Sequence, residues 1–126
     1  MNKHKLGFIR GRLRSVKFAL KGIKLLITTE DSIKTQVFFA ILITIIGFYF
    51  SISINEWMFQ IIAIALVLVA EALNTAIEKL ADFMHPDYDE KIGFIKDVAA
   101  GAPAFAALFS MIIGSIIYLP KIIRLF

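Results

Sequence analysis

The chain has 126 residues, 59% of them hydrophobic, with a mean hydropathy of +0.79 and a formal net charge of +4. This length predicts one domain over residues 1–126, and the composition argues against a soluble fold, because so small a domain cannot bury so many apolar side chains. The sequence has no cysteine, which excludes disulfides and thiolate metal sites.

The N-terminal segment is strongly basic, since eight of the fourteen Lys and Arg residues precede residue 25. Over residues 10–29 the apolar side chains project within about one quadrant of a helix, and the basic ones fall on the adjoining face. This pattern predicts an amphipathic helix on the membrane surface, attracted to anionic headgroups. It would act as an anchor or as a gate for a substrate. We expect no nucleic-acid partner, because the rest of the chain is apolar.

Three apolar runs follow and predict membrane-spanning helices at about 34–54, 57–82 and 97–120. Thr28 and Thr29 are predicted helix caps, so the chain should turn before the first span. Only Asn55 and Glu56 separate the first two runs, which predicts a tight antiparallel hairpin. Pro103 should loosen or kink the third span. The basic N-terminus predicts a multi-pass protein with its N-terminus in the cytoplasm.

A row of polar residues interrupts the second span. At about 100° per residue, its four members lie on one narrow stripe of the helix: Glu71, Asn74, Glu78 and Asp82. An ionisable group within a span is costly unless it faces protein, water or an opposite charge. The stripe fits three roles: a polar seam between helices, the lining of an ion or transport path, or an enzyme site that binds a divalent cation.

Other charged residues are predicted at the same membrane boundary. Glu30 precedes the first span, and Lys96 and Asp97 begin the third. Lys96 suits a phosphate group. The sequence contains no Walker A pattern and no other soluble nucleotide-binding motif, so any nucleotide would be held in another way.

The polar stripe, followed by Lys96-Asp97-x-Ala99-Ala100-Gly101, closely resembles the bacterial diacylglycerol kinase family, which includes the undecaprenol kinases. The resemblance covers almost the whole chain. It implies a homotrimer in the inner membrane, with active sites shared between subunits at the cytoplasmic face. There the γ-phosphate of ATP would pass, with Mg²⁺, to the hydroxyl of diacylglycerol to give phosphatidic acid, or of undecaprenol in the alternative.

The resemblance also implies roles for individual residues. Glu71 would be the catalytic base for the lipid hydroxyl, with Asn74 and Ala100 also at the lipid. Glu30 and Glu78 would hold the metal ions. The expected ATP-binding residues are Glu30, Glu78, Asp82, Asp87, Tyr88, Asp89, Lys96 and Asp97.

The sequence departs from the family pattern at three positions. Gly11 stands where some members have an arginine near the nucleotide, so Arg10, Arg12 or Arg14 would have to replace it. Gln36 replaces an acid. Ala100 replaces a serine of the diacylglycerol branch and resembles the undecaprenol branch, which leaves the choice of lipid open.

Overall fold

A computed structural model describes residues 2–126. Over that range it contains four helices and no strand: α1 (Lys3–Thr29), α2 (Asp31–Tyr49), α3 (Ile54–Met84) and α4 (Glu90–Leu125). The last three are long and apolar enough to cross a membrane. The predicted all-α architecture, an N-terminal helix followed by three helices able to span a bilayer, is therefore confirmed.

A single residue separates α1 from α2. Glu30 has an extended backbone, with φ −103° and ψ 115°, and its N–H donates to the carbonyl of Leu26 at 3.1 Å. The prediction that Thr28 and Thr29 cap a helix is wrong. Their hydroxyls donate back into α1, to the carbonyls of Lys24 at 2.7 Å and Leu25 at 2.6 Å, respectively, which is a common bond for a hydroxyl inside a helix.

The turn between α2 and α3 lies at residues 50–53, earlier than the predicted Asn55-Glu56. Ser53 caps α3 in a capping box: its hydroxyl accepts from the N–H of Glu56 at 3.2 Å, and the Glu56 carboxylate accepts from the N–H of Ser53 at 2.9 Å. Hydropathy missed the turn because Phe50 and Ile52 are apolar, and Ile52 is buried in the core.

The core lies at the end of the bundle that holds the α2–α3 turn, which we call the hairpin end. Ile52, Ile117 and Tyr118 are buried together there, and Phe50 and Trp57 pack against them. Tyr118 donates a hydrogen bond to the buried side chain of Gln60. A salt bridge of 2.6 Å joins Lys121 of α4 to Glu56 of α3. These contacts fix the three spans to one another at this end.

Helices α3 and α4 form the most extensive pair in the structure. Their buried contacts include small side chains, Ala63 and Ala81 on α3 and Ala99 and Ala106 on α4, which let two backbones approach closely. Asp89 caps the N-terminus of α4, where its carboxylate accepts from the N–H of Lys91 at 2.8 Å. It continues through Pro103 and reaches Leu125. The opposite end of the bundle, with Glu30 and the α3–α4 loop, is the loop end.

Candidate active site

The predicted polar stripe lies along α3 and runs toward the loop end. Glu71 is half-buried, Asn74 is buried, and Glu78 is exposed. Because the four residues share one face of a continuous helix, the environment changes along the stripe from the apolar interior to the loop end. A group bound along it can therefore have one part among apolar side chains and another part in water.

Asn74 makes the central contact of the stripe. Its side-chain Nδ2 donates to the Glu78 carboxylate at 3.3 Å, while its own Oδ1 is buried and accepts no hydrogen bond. A buried amide oxygen without a partner is costly. It is also a hard oxygen donor beside a carboxylate, and these are the ligand types that Mg²⁺ prefers. The residues present thus fit a divalent cation.

Glu30 contacts α3 from the break between α1 and α2. Its carboxylate lies 3.0 Å from the ammonium of Lys79 on α3 and 3.3 Å from the hydroxyl oxygen of Thr29, whose proton bonds to the Leu25 carbonyl. Lys79 was not among the predicted site residues, because it falls about 100° away from Glu78 around the helix. Its position next to Glu78 was the only available signal.

Asp82 and Lys96 join α3 to α4 through a salt bridge between their side chains. This pair brings together two of the predicted ATP-binding residues. Asp97 and Ala100 are exposed on α4 near the same end. The Lys96 ammonium has three donors, of which Asp82 uses one, so the others can contact a phosphate oxygen.

The loop between α3 and α4 contains the other three predicted nucleotide residues. His85 Nδ1 is 2.6 Å from the carbonyl of Asp87. Tyr88 is largely exposed, and its ring lies over Gly93, where an added Cβ would be 3.4 Å from the ring. Asp89 caps α4, which gives its carboxylate a structural contact.

An apolar groove of about 640 Å³ lies between α2, α3 and α4 and extends from the hairpin end toward Glu71. Its lining on α3 includes Gln60, Val67 and Leu68, and Glu71 lies one helical turn beyond the last two. Gln60 and Tyr118 close the groove at the hairpin end, a contact that hydropathy gave no reason to expect. Gln36 also lines the groove, and its buried Oε1 has no hydrogen-bond partner.

The two predicted metal ligands, Glu30 and Glu78, have different side-chain partners in the structure. Glu30 contacts Lys79, whereas Glu78 contacts Asn74. Among residues 2–126, no group of three or more His, Asp or Glu side chains is arranged to hold a metal ion. Two ligands that a cation could bridge therefore stand in separate contacts in the isolated chain.

Comparison with known proteins decides the family. The profile of the prokaryotic diacylglycerol kinase family matches residues 17–118, which include every helix that carries the stripe and its partners. The chain belongs to this family. It is therefore a lipid kinase that uses ATP-dependent phosphoryl transfer and a multi-pass membrane protein.

Individual relatives agree with this assignment. The lipid kinase is 36% identical over 109 residues to the undecaprenol kinase of Bacillus subtilis, covering 86% of this chain and 89% of the relative. It is 24% identical over 112 residues to the diacylglycerol kinase of Escherichia coli, covering 89% and 91%. It is 26% identical to the diacylglycerol kinase of a Synechocystis species, where it covers 90% of this chain and 65% of the relative.

Proposed function

We propose that this lipid kinase transfers the γ-phosphate of ATP to a lipid hydroxyl beside Glu71, with the phosphates of ATP at the loop end. The observation that carries this proposal is the position of the stripe: Glu71 is half-buried next to the apolar groove, and Asp82 pairs with Lys96 at the loop end. The acceptor lipid has a hydrocarbon tail that requires apolar surroundings, whereas ATP is highly charged and requires water. The stripe runs from one environment to the other.

Glu71 is the proposed catalytic base. Its carboxylate accepts the proton of the lipid hydroxyl as that oxygen forms a bond to the γ-phosphorus. The bond from the γ-phosphorus to the bridging β-oxygen breaks, and ADP leaves. In phosphoryl transfer the protein mainly positions groups and balances charge, and a positioned base contributes about 10²–10⁴-fold.

Mg²⁺ is the proposed metal, with Glu30 and Glu78 as its ligands and the orphan Oδ1 of Asn74 beside them. The ion would balance the charge of the ATP phosphates. Lys79 now occupies the Glu30 carboxylate at 3.0 Å, so Glu30 has to leave this partner to bind a cation. Lys79 would then be free to approach a phosphate oxygen.

The nucleotide is proposed to lie against α4 and the α3–α4 loop. Lys96 supplies a cation for the phosphates, and Asp82 and Asp97 lie on either side of it. The exposed ring of Tyr88 offers a stacking surface. Asp87 and Asp89 remain proposed contacts, although the carboxylate of Asp89 is used by the helix cap.

The relatives act on two different acceptor lipids, as their names state. Diacylglycerol is the first candidate, with phosphatidic acid as its product, and three of the relatives are named diacylglycerol kinases. A specific observation favours undecaprenol as the second candidate: the relative named undecaprenol kinase is 36% identical, against 24–28% for those three. Ala100 agrees with that second candidate. In both cases the groove below Glu71 is the proposed site of the tail.

A homotrimer in the inner membrane, with its N-termini and active sites at the cytoplasmic face, completes the proposal. The eight basic residues before residue 25 support this orientation. The separate contacts of Glu30 and Glu78 within one chain support a site shared between subunits, because a neighbouring chain can supply the facing carboxylate.

A competition assay chooses between the lipids. The purified kinase receives labelled ATP, Mg²⁺, and diacylglycerol and undecaprenol together, and the labelled products are separated by chromatography. Preferential labelling of phosphatidic acid supports diacylglycerol as the acceptor, whereas preferential labelling of undecaprenyl phosphate supports the second candidate. Transfer to neither lipid would refute both.

Two variants test the assigned roles. Glu71→Gln should lower the transfer rate by about 10²–10⁴-fold while the affinity for ATP is retained. Glu78→Gln should shift the Mg²⁺ titration to higher concentration. A wild-type rate for the first variant removes Glu71 as the base, and an unchanged titration for the second removes Glu78 as a ligand.

A further inference from the structure

The two proposed metal ligands at the loop end differ in what balances their charge. Glu30 pairs with the ammonium of Lys79 at 3.0 Å, as Asp82 pairs with Lys96. Glu78 forms no salt bridge within the described residues 2–126, and its side chain accepts from a neutral amide at 3.3 Å. A lysine therefore stands against one ligand, while the other has no cation.

The partners in the pair of Glu30 and Lys79 are unequally buried. The side chain of Glu30 is 21% exposed, whereas that of Lys79 is 69% exposed. A carboxylate that is largely removed from water is costly unless a cation or hydrogen bonds support it. The proton of the nearby Thr29 hydroxyl bonds to the Leu25 carbonyl at 2.6 Å and gives no such support. Glu30 thus depends on a cation, while Lys79 can return to water at little cost.

A lysine is suited to a contact that has to be given up. Its ammonium is a point charge on a flexible four-carbon stem, and Lys79 contacts one carboxylate oxygen of Glu30, Oε1. An arginine could hold both oxygens in a bidentate fork. A single contact by an exposed lysine is weak, so Glu30 can exchange it for a divalent cation. Because Lys79 follows Glu78 in α3, its ammonium remains close to the site after the exchange.

We propose that Lys79 is a placeholder for the metal at Glu30. Its ammonium neutralises the Glu30 carboxylate before a metal is bound, yields that carboxylate to the divalent cation, and then contacts an oxygen of the ATP phosphates. This inference rests on the proposed function, in which Glu30 is a ligand of Mg²⁺. The exchange couples the binding of metal to that of nucleotide, because the phosphates give the displaced ammonium a new anionic partner.

A purely structural role for Lys79 predicts the opposite result. If Lys79 served only to hold Glu30 in place against α3, its removal would leave the carboxylate less well positioned and would weaken the binding of metal. Removal of a placeholder strengthens the binding of metal, because no partner has to be displaced. The sign of the change in metal affinity therefore distinguishes the two roles.

The metal affinity is measured without nucleotide or lipid, from the electron paramagnetic resonance signal of free Mn²⁺ titrated with the purified protein. Lys79→Met should tighten Mn²⁺ binding by about two- to fivefold. Lys79→Arg retains the charge and should bind Mn²⁺ no more tightly than the wild type. Lys34→Met is the matched control, since Lys34 contacts Asp31 at 3.7 Å instead of Glu30. It should leave the affinity unchanged.

The contact with phosphate is tested by repeating the comparison with the Mn²⁺ complex of a non-hydrolysable ATP analogue, whose binding is measured by equilibrium dialysis. The gain of Lys79→Met should disappear here, because the wild type recovers a phosphate contact that methionine cannot make. If the variant binds the complex as much more tightly as it binds Mn²⁺ alone, the displaced ammonium contacts no phosphate, and this part of the inference is wrong.

The remaining outcomes are decided by Mn²⁺ binding alone. Weaker or unchanged binding by Lys79→Met overturns the placeholder, and an equal gain in Lys34→Met reduces the effect to general charge repulsion and also overturns it. Glu30→Gln tests the proposed function separately. Wild-type Mn²⁺ affinity in that variant would show that Glu30 is not a ligand, whereas weaker binding in Glu30→Gln with no gain in Lys79→Met removes only the placeholder.

Discussion

The substitution Asn74→Leu tests whether the polar stripe acts in catalysis or only holds helices together. Asn74 is 6% exposed, donates one bond of 3.3 Å to Glu78, and has a buried Oδ1 without a partner. Leucine has the same number of side-chain heavy atoms and the same branching at Cγ, and it has no polar atoms. The substitution therefore removes one favourable contact and one unfavourable group at the same time.

The expected change in the free energy of unfolding follows from these two effects. A hydrogen bond to a charged group contributes about 1.5–3 kcal/mol, and a bond of 3.3 Å lies at the weak end of that range. Removing an unsatisfied buried acceptor returns about 1–3 kcal/mol. Glu78 is exposed and can be solvated when its donor is lost. The free energy of unfolding should thus change by no more than about 1 kcal/mol, while loss of a group that orients a metal ligand lowers activity by about 10–100-fold.

Two measurements on the same preparation test this prediction: reversible denaturant unfolding in detergent and the rate of lipid phosphorylation by the folded protein. Ser115→Ala is the control, since Ser115 is exposed on α4, bonds to the Met111 carbonyl at 2.8 Å and lies away from the stripe. This control should change neither quantity appreciably. Destabilisation of Asn74→Leu by more than about 2 kcal/mol, with a normal rate per folded molecule, would refute the reasoning and favour the seam.

Two further predictions concern the hairpin end. Gly47→Ala places a Cβ 2.8 Å from the Trp57 ring, whereas Gly114→Ala meets nothing within 4 Å. The first variant should be less stable than the second by about 1–3 kcal/mol in denaturant unfolding, and equal stability would contradict the packing described. A double-mutant cycle with Glu56→Gln and Lys121→Met should give a coupling energy of about 1 kcal/mol, because these side chains are 27% and 21% exposed. A coupling of zero would mean that the salt bridge does not hold α4 to α3.

The polar stripe could be predicted from the sequence because it depends only on helical periodicity. Glu71, Asn74, Glu78 and Asp82 share a face in any continuous helix, and α3 is continuous from Ile54 to Met84. The contacts that the stripe residues make could not be predicted from helical periodicity. The salt bridge between Glu30 and Lys79 joins residues far apart in sequence, and the angle between α1 and α2 decides whether they meet.

The ends of the helices were harder to predict from the sequence than the helices themselves. The first predicted span, residues 34–54, overran the α2–α3 turn, since Phe50 and Ile52 pack in the core instead of continuing a helix. Helix α1 begins at Lys3, capped by Asn2, before the amphipathic pattern at Arg10. Hydropathy shows only which residues avoid water. It does not distinguish the apolar residues of a spanning helix from those of a buried turn.

The sequence by itself determined that this chain crosses a membrane, that its N-terminal helix is cationic on one side, and that acidic and amide groups share one face of the second span. These properties follow from composition and from the 100° step of the α-helix. Only the tertiary structure decided that Asn74 bonds to Glu78, that Lys79 pairs with Glu30, and that an apolar groove reaches Val67 and Leu68, one helical turn from Glu71. Such contacts depend on the angles and distances between helices, which the packing of Ala63, Ala99 and the hairpin-end core establishes.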